Sequence, residues 1–407
     1  MSLSFLNRSA GIAALLVAVA AGSGASAADK YWIPEASVSA EYHTNLDLTA
    51  GPSAVDQSVP AYVADLAATF GVRSQRGLTE FRPNVQFQEY PDRSELQRAN
   101  IYADLRSEYE WLRAHFDVVA RYAKEDEYKS QLPAAAFDTF DPKDPNAGGS
   151  GEIISVSESV ERIYVRPTYL YRFTERFAVG ATGNFESVDY NLDFLSSDRV
   201  DYDYMNAQAF LLWAVGQRSS LTTGIYKSRY EADRDINTTK AVGVESSFEH
   251  RWTETFKGTL TFNVEKTDVD EALLPAESST NFGFLGGVER RGQVSRLRFE
   301  AGRSYMPSSN GTRASFDQVR GQYYRQVTQR WSYGLAARFF RSRGEGDGNN
   351  DRDYARGSLT LSRALTPTWS VSAGYDYLWQ KYARDDINRS DNTFRVSIGY
   401  RGLDPQR

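Results

Sequence analysis

The chain has 407 residues, no cysteine and a formal charge of −6 at neutral pH, from 47 basic and 53 acidic residues that are interspersed along its length. The lack of cysteine excludes a disulfide framework and any thiolate metal site, and the charge balance argues against a nucleic-acid surface, which would be strongly basic. A mean hydropathy of −0.53 reads as soluble, but strand-built membrane proteins also look like this, because only alternate residues of each strand meet lipid.

Residues 1–27 read as a secretory leader. Arg8 precedes an apolar run, Gly11 to Ala21, which ends in small residues and an Ala25-Ser26-Ala27 cleavage pattern. The run is too short to span a bilayer, and nothing later approaches the roughly 18 consecutive apolar residues a membrane helix needs. The mature domain is therefore expected over 28–407, and any membrane crossing must be made by strands.

Period-two alternation predicts about eighteen strands, with sixteen as the lower bound, near 34–44, 60–73, 78–90, 97–111, 114–127, 159–173, 177–189, 201–215, 219–231, 238–252, 255–268, 279–290, 295–305, 315–327, 331–343, 352–364, 369–381 and 391–401. The clearest runs from Trp369 to Gln380. One face carries Trp369, Val371, Ala373, Tyr375, Tyr377 and Trp379; the other is polar except for Leu378. Aromatics at both ends of an apolar face are what a strand needs to cross two headgroup regions. Soluble strands usually run only about five or six residues.

Four blocks, Thr174-Glu175-Arg176-Phe177, Thr253-Glu254-Thr255-Phe256, Thr328-Gln329-Arg330-Trp331 and Thr366-Pro367-Thr368-Trp369, recur as turn signals. With Gly216-Gln217-Arg218 and Arg291-Gly292-Gln293 they give a spacing of about 37 to 42 residues, two long strands plus one longer loop. The expected fold is all-β: a transmembrane, antiparallel, up-and-down β-barrel in the outer membrane, with short turns on the periplasmic side and long loops outside. The longest connection, 128–158, is the third outward loop. Leu132, Phe137, Phe140 and Asp141 on it are gate candidates, and an ordinary exposed loop is the plainer alternative.

Alternation assigns a set of charges to the lumen: Arg106, Arg121, Arg162, Arg166, Arg296, Arg298, Arg320, Arg338 and Arg356, with Asp104, Glu108, Glu265, Glu300 and Asp376. Such charges either select a permeant or simply form a solvated wall of paired groups. Inward aromatics Tyr102, Tyr164, Phe210, Tyr324 and Phe340 offer flat apolar faces for sugar rings, or serve as wall filler.

Catalysis has little support, and no catalytic residue, cofactor or metal site is assigned. Of three histidines, His43 falls near the outer rim, and His115 and His250 near the periplasmic one. His43 with Asp47 is the one pairing left for an outer-rim hydrolase, against a plain surface polar residue. Asp347 to Asp353 has alternating oxygen ligands but Arg352 where a calcium loop needs glycine, so it reads as a polar outer loop.

Leaving the first strand, Ala40-Glu41-Tyr42-His43-Thr44-Asn45-Leu46-Asp47-Leu48 resembles the opening of β-barrel porin-2 type outer-membrane proteins, which show a Tyr-x-x-Asn-hydrophobic pattern there. The Thr-x-(Arg/Thr)-(Trp/Phe) turns are similar to that group as well. The resemblance implies association with exopolysaccharide export and periplasmic export partners. It departs at the C-terminus, where Arg407 replaces the usual terminal aromatic. A conduit for hydrophilic cargo, most directly exopolysaccharide, is thus expected in contact with outer-membrane lipid and lipopolysaccharide. A diffusion porin for small solutes and an adhesive barrel without a pore are the alternatives.

Overall fold

The computed structural model describes residues 28–46, 58–94, 97–126, 159–190, 200–232, 237–271, 277–307, 313–344, 351–382 and 388–403. They form eighteen strands: β1 Asp29–His43, β2 Val59–Arg73, β3 Gly77–Glu89, β4 Arg98–Glu110, β5 Ala114–Asp126, β6 Ser159–Arg172, β7 Phe177–Tyr190, β8 Tyr202–Ala214, β9 Ser219–Ala232, β10 Asn237–Thr253, β11 Phe256–Glu271, β12 Glu277–Arg291, β13 Ser295–Pro307, β14 Arg313–Gln326, β15 Trp331–Gly344, β16 Arg352–Ala364, β17 Trp369–Tyr382 and β18 Asn388–Arg401. Each pairs antiparallel with its sequence neighbours, and β1 also pairs with β18, so the sheet closes without a free edge. Closure is what hydrocarbon demands, since it offers no partner to an open strand edge. The expected barrel and strand number are both found. The largest boundary difference is in β1, which begins at Asp29, and Tyr31 there reaches the Glu80 carboxylate of β3 at 2.6 Å.

The two faces separate cleanly. Large apolar side chains left exposed fall on one parity of each strand, such as Val38 and Tyr42 on β1, Val242, Val244 and Phe248 on β10, and Phe394, Val396 and Ile398 on β18. That face meets lipid. Toward the outer rim its apolar residues give way to charges: Arg303 Nε donates to Asp317 at 2.6 Å, Arg341 Nε to Asp353 at 2.6 Å, and Lys240 Nζ to Asp270 at 3.2 Å. Those pairs suit the height of lipid headgroups.

The recurrent turn blocks have a chemical reason. In three of them the threonine hydroxyl accepts two backbone N–H groups of the turn: Thr174 from Arg176 and Phe177 at 3.3 and 3.0 Å, Thr328 from Arg330 and Trp331 at 3.2 and 3.0 Å, and Thr366 from Thr368 and Trp369 at 3.2 and 2.9 Å. Such hydroxyl-capped turns are a known use of threonine. In the fourth, Thr253 accepts only from Thr255. The aromatic that ends each block opens the next strand and packs on a neighbour, as Trp252 stacks on Phe256 at 4.8 Å and Trp369 meets Tyr400 at 5.2 Å. The result is the aromatic girdle of the short-turn rim.

Besides an irregularity between β10 and β11 at Arg251–Thr253 and a β4–β5 ladder that stops at Ile101–Lys124, three places depart from a continuous ladder. Register between β2 and β3 lapses around Pro83, and between β6 and β7 around Pro167, because proline brings no N–H to the ladder. The third is different. Between β12 and β13 the ladder covers only eight residue pairs, from Phe284–Arg303 to Arg291–Arg296, although β12 continues up to Glu277 and β13 to Pro307. No proline lies at the point where it stops.

A candidate anion site on the lumen wall

Inward-facing residues follow from the register. Arg106, Asp104, Glu108 and Tyr102 lie on β4, Arg121 on β5, Arg162, Arg166 and Tyr164 on β6, Phe210 on β8, Glu265 on β11, Arg296, Arg298 and Glu300 on β13, Arg320 and Tyr324 on β14, Arg338 and Phe340 on β15, Arg356 on β16 and Asp376 on β17. All have the parity opposite to the lipid-facing side chains of their strand. The gate candidates Leu132, Phe137, Phe140 and Asp141, the leader and Asp47 lie outside the described residues.

Many of the charges are locally neutralised. Arg106 pairs with Glu108, Arg121 Nε donates to Asp104 at 2.7 Å, Arg162 lies 3.4 Å from Glu186, and Glu265 accepts from the Tyr226 hydroxyl at 2.9 Å. These positions are dispersed around the ring and form a wall of paired groups, some of them, such as Arg162, Glu186 and Glu265, buried, as polar barrel interiors usually carry.

One sector is organised differently. Register sets Arg320 directly opposite Arg338, and Arg338 directly opposite Arg356, so three guanidinium groups on β14, β15 and β16 form one cross-strand row. The ends of the row have acids: Arg320 Nε donates to Glu300 at 2.6 Å and Arg356 Nη2 to Asp376 at 2.8 Å. Glu300 also accepts from Arg298 Nη2 at 2.7 Å, and Asp376 from the Ser358 hydroxyl at 2.5 Å. The middle is positive. Arg338 is 6% exposed, and its Nε and Nη1 have no hydrogen-bond partner among the described residues. Its guanidinium carbon sits 4.9 Å from the Phe340 ring centroid, a cation–π contact.

Above the row is an aromatic step. Phe340 stacks on Tyr354 at 4.7 Å between centroids, with Phe316 6.0 Å from Phe340. Arg352 closes the far side, 5.0 Å from the Tyr354 ring, and donates to Gln380 at 2.8 Å. Leu378, the apolar exception of its strand, packs in the same buried cluster with Phe340, Tyr354 and Leu46. The sector thus gathers Arg320, Arg338, Arg356 and Phe340 with Glu300 and Asp376. Arg352 and Tyr354 escaped the sequence-based set, although counting back by two from Arg356 reaches both.

His43 corrects an expectation. It is not a surface residue; it is buried, 2% exposed, at the outer end of the β1–β18 junction, while Asp47 lies outside the described residues. Its Nδ1 is 3.0 Å from Asp391 and 3.1 Å from the Thr393 hydroxyl, and its Nε2 is 3.5 Å from Glu41. The other Asp391 oxygen accepts from the backbone N–H groups of Thr44 and Asn45 at 2.9 and 2.8 Å, while Asn45 Nδ2 donates to the Ser390 carbonyl at 3.1 Å. The Tyr-x-x-Asn-hydrophobic segment is therefore the clasp that fastens the first strand to the last.

No family model matches the sequence, and no curated protein matches it either. Solved structures do. OccK2 (OpdF) of Pseudomonas aeruginosa, in complex with glucuronate, aligns over 92% of this chain and 99% of its own, with 9% identity and a TM-score of 0.46. The copper transporter OprC aligns over 88% of this chain, with 12% identity and a TM-score of 0.45, and the alignment spans 62% of its length. OmpT of Vibrio cholerae aligns over 93% of this chain and 98% of its own, with 11% identity and a TM-score of 0.37. The likeness is one of general architecture. A closed ring of eighteen strands with an apolar outer face, aromatic rims and a charged interior is the outer-membrane type of barrel, and the chain is an outer-membrane protein.

Proposed function

We propose that this barrel is a channel for hydrophilic anionic cargo, which binds in passing at Arg320, Arg338 and Arg356 beside the rings of Phe340 and Tyr354. The buried guanidinium of Arg338, between two further arginines, is the observation that carries this reading. Like charges placed directly opposite destabilise a sheet, so a row retained in spite of that cost fits a negatively charged visitor. The adjoining flat rings fit a cyclic one. An acidic sugar combines a carboxylate with an apolar ring face.

Acidic polysaccharide is the first reading of the cargo, on the resemblance of the segment leaving β1 to export-associated barrels, and it would move with periplasmic partners. Small acidic solutes, which bring the same carboxylate to the arginine row without a polymer chain, are the second. Planar-bilayer recordings separate them. The wild-type pore should be anion-selective, and Arg338→Gln should lose that selectivity several-fold while the pore stays open. Block by uronate oligomers that strengthens with chain length supports the polymer; equal block by the monomer supports the small solute. A cation-selective pore, or none, overturns the proposal.

A further inference from the structure

The split between β12 and β13 points to a second way into the lumen, through the wall. Below the split the strands are crowded: a Cβ added to Gly302 would collide with the Phe284 carbonyl and approach the Leu285 Cα to 2.7 Å. Above it, β12 keeps its full ladder with β11 from Gly283 to Glu277 but has none toward β13. Glycines at 283, 286 and 287 flank the change, and glycine within a strand often marks such a bend. The position is the top of the apolar belt. Phe282, 63% exposed, faces lipid beside Val264, and one step further out Lys266 stands opposite Thr280.

Unpaired strand backbone at membrane depth is tolerated where it lines a cavity rather than lipid. A cavity is there. The 590 Å³ recess is lined by inward residues such as Glu300 and Leu285, and also by Phe284, Val288, Arg303 and Tyr305, whose parity is that of the lipid face. It therefore borders residues of both faces beside the stretch where the ladder is missing. Its lining joins these apolar groups to six basic side chains against four carboxylates.

We propose that the β12–β13 split is a lateral port that admits a single-chain amphiphile with an anionic head from the outer leaflet into the lumen. The acyl chain lies along Phe284, Leu285 and Val288, and the head turns to the arginine-rich side of the recess. Two-chain lipids exceed a recess of this volume. The port opens sideways through the wall and shares only Arg320 with the arginine row, so either can exist without the other.

The test is photochemical. A benzophenone amino acid replaces inward-facing Leu285 in proteoliposomes that contain radiolabelled dodecylsulfonate. A labelled adduct is expected. The chain has no cysteine of its own, so Phe282→Cys with Tyr305→Cys, positions that would face each other if the ladder continued, can be joined by a short bismaleimide. Joining them should reduce the adduct several-fold while leaving ion current through the same vesicles unchanged. If that double variant fails to give a heat-modifiable barrel, Thr280→Cys with Tyr305→Cys replaces it. Absence of adduct in the unjoined protein, or an adduct indifferent to the cross-link, overturns the port. Absence of ion current bears only on the axial channel.

Discussion

Two junctions in this ring have short ladders, and they are built in opposite ways. β1 and β18 share nine residue pairs, from Glu35–Arg401 to His43–Thr393; β12 and β13 share eight. At the first, the ladder ends where β1 itself ends, and buried side chains then take over: Asp391 holds His43, Thr44 and Asn45. At the second, both strands run on without pairing, and glycines replace side chains at the point of parting. Ladder length alone does not say whether a seam is shut. The groups just beyond the last pair decide it.

Four substitutions test that contrast, Gly374→Ala among them as a control. Asp391→Ala should have the largest effect, because it strips a fully buried carboxylate from a histidine and two backbone N–H groups; loss of one member of a buried charged set costs about 3–5 kcal/mol. Heat-modifiability on gels should show the folded band vanishing at a clearly lower temperature, and an unchanged midpoint would mean that the clasp does not hold the ring. Next comes Gly302→Val. Overpacking against the Phe284 carbonyl should cost about 1–3 kcal/mol, whereas Gly374→Ala, with no neighbour nearer than 3.7 Å, should be close to neutral. Equal midpoints for the two would mean that the strands beneath the split have room to spare. Smallest is Lys240→Ala, on the lipid-facing side away from both seams. Its partner Asp270 is at 3.2 Å with both side chains about half exposed, and such pairs are worth about 0.2–1 kcal/mol. A larger loss would show that outer-rim charges, not the seams, dominate stability.

The ring was readable because its cause is local. Each strand announces itself by period two, and each capped turn by a threonine two or three residues before the N–H groups it binds. Parity also put Arg320, Arg338 and Arg356 on the inner face. Their alignment was not readable, since it depends on a register set by hairpins on both sides of β15. Nor was the burial of His43, whose main partner lies 348 residues away. For the split a signal did exist: Gly283-Phe284-Leu285-Gly286-Gly287 interrupts an otherwise regular alternation. Three glycines in five residues weaken a strand whichever face they occupy.

The clasp joins residues separated by 345 to 350 positions, so it has a role in time as well as in space. Contacts that close so long a loop bear the entropy of ordering everything between them, and form late. Seventeen hairpin neighbours can zip one after another, but Asp391 meets His43 only when the ring comes full circle. Its hydrogen bonds are thus a molecular record that insertion has finished, and a chain arrested earlier in assembly would carry a charged carboxylate and an imidazole still facing water.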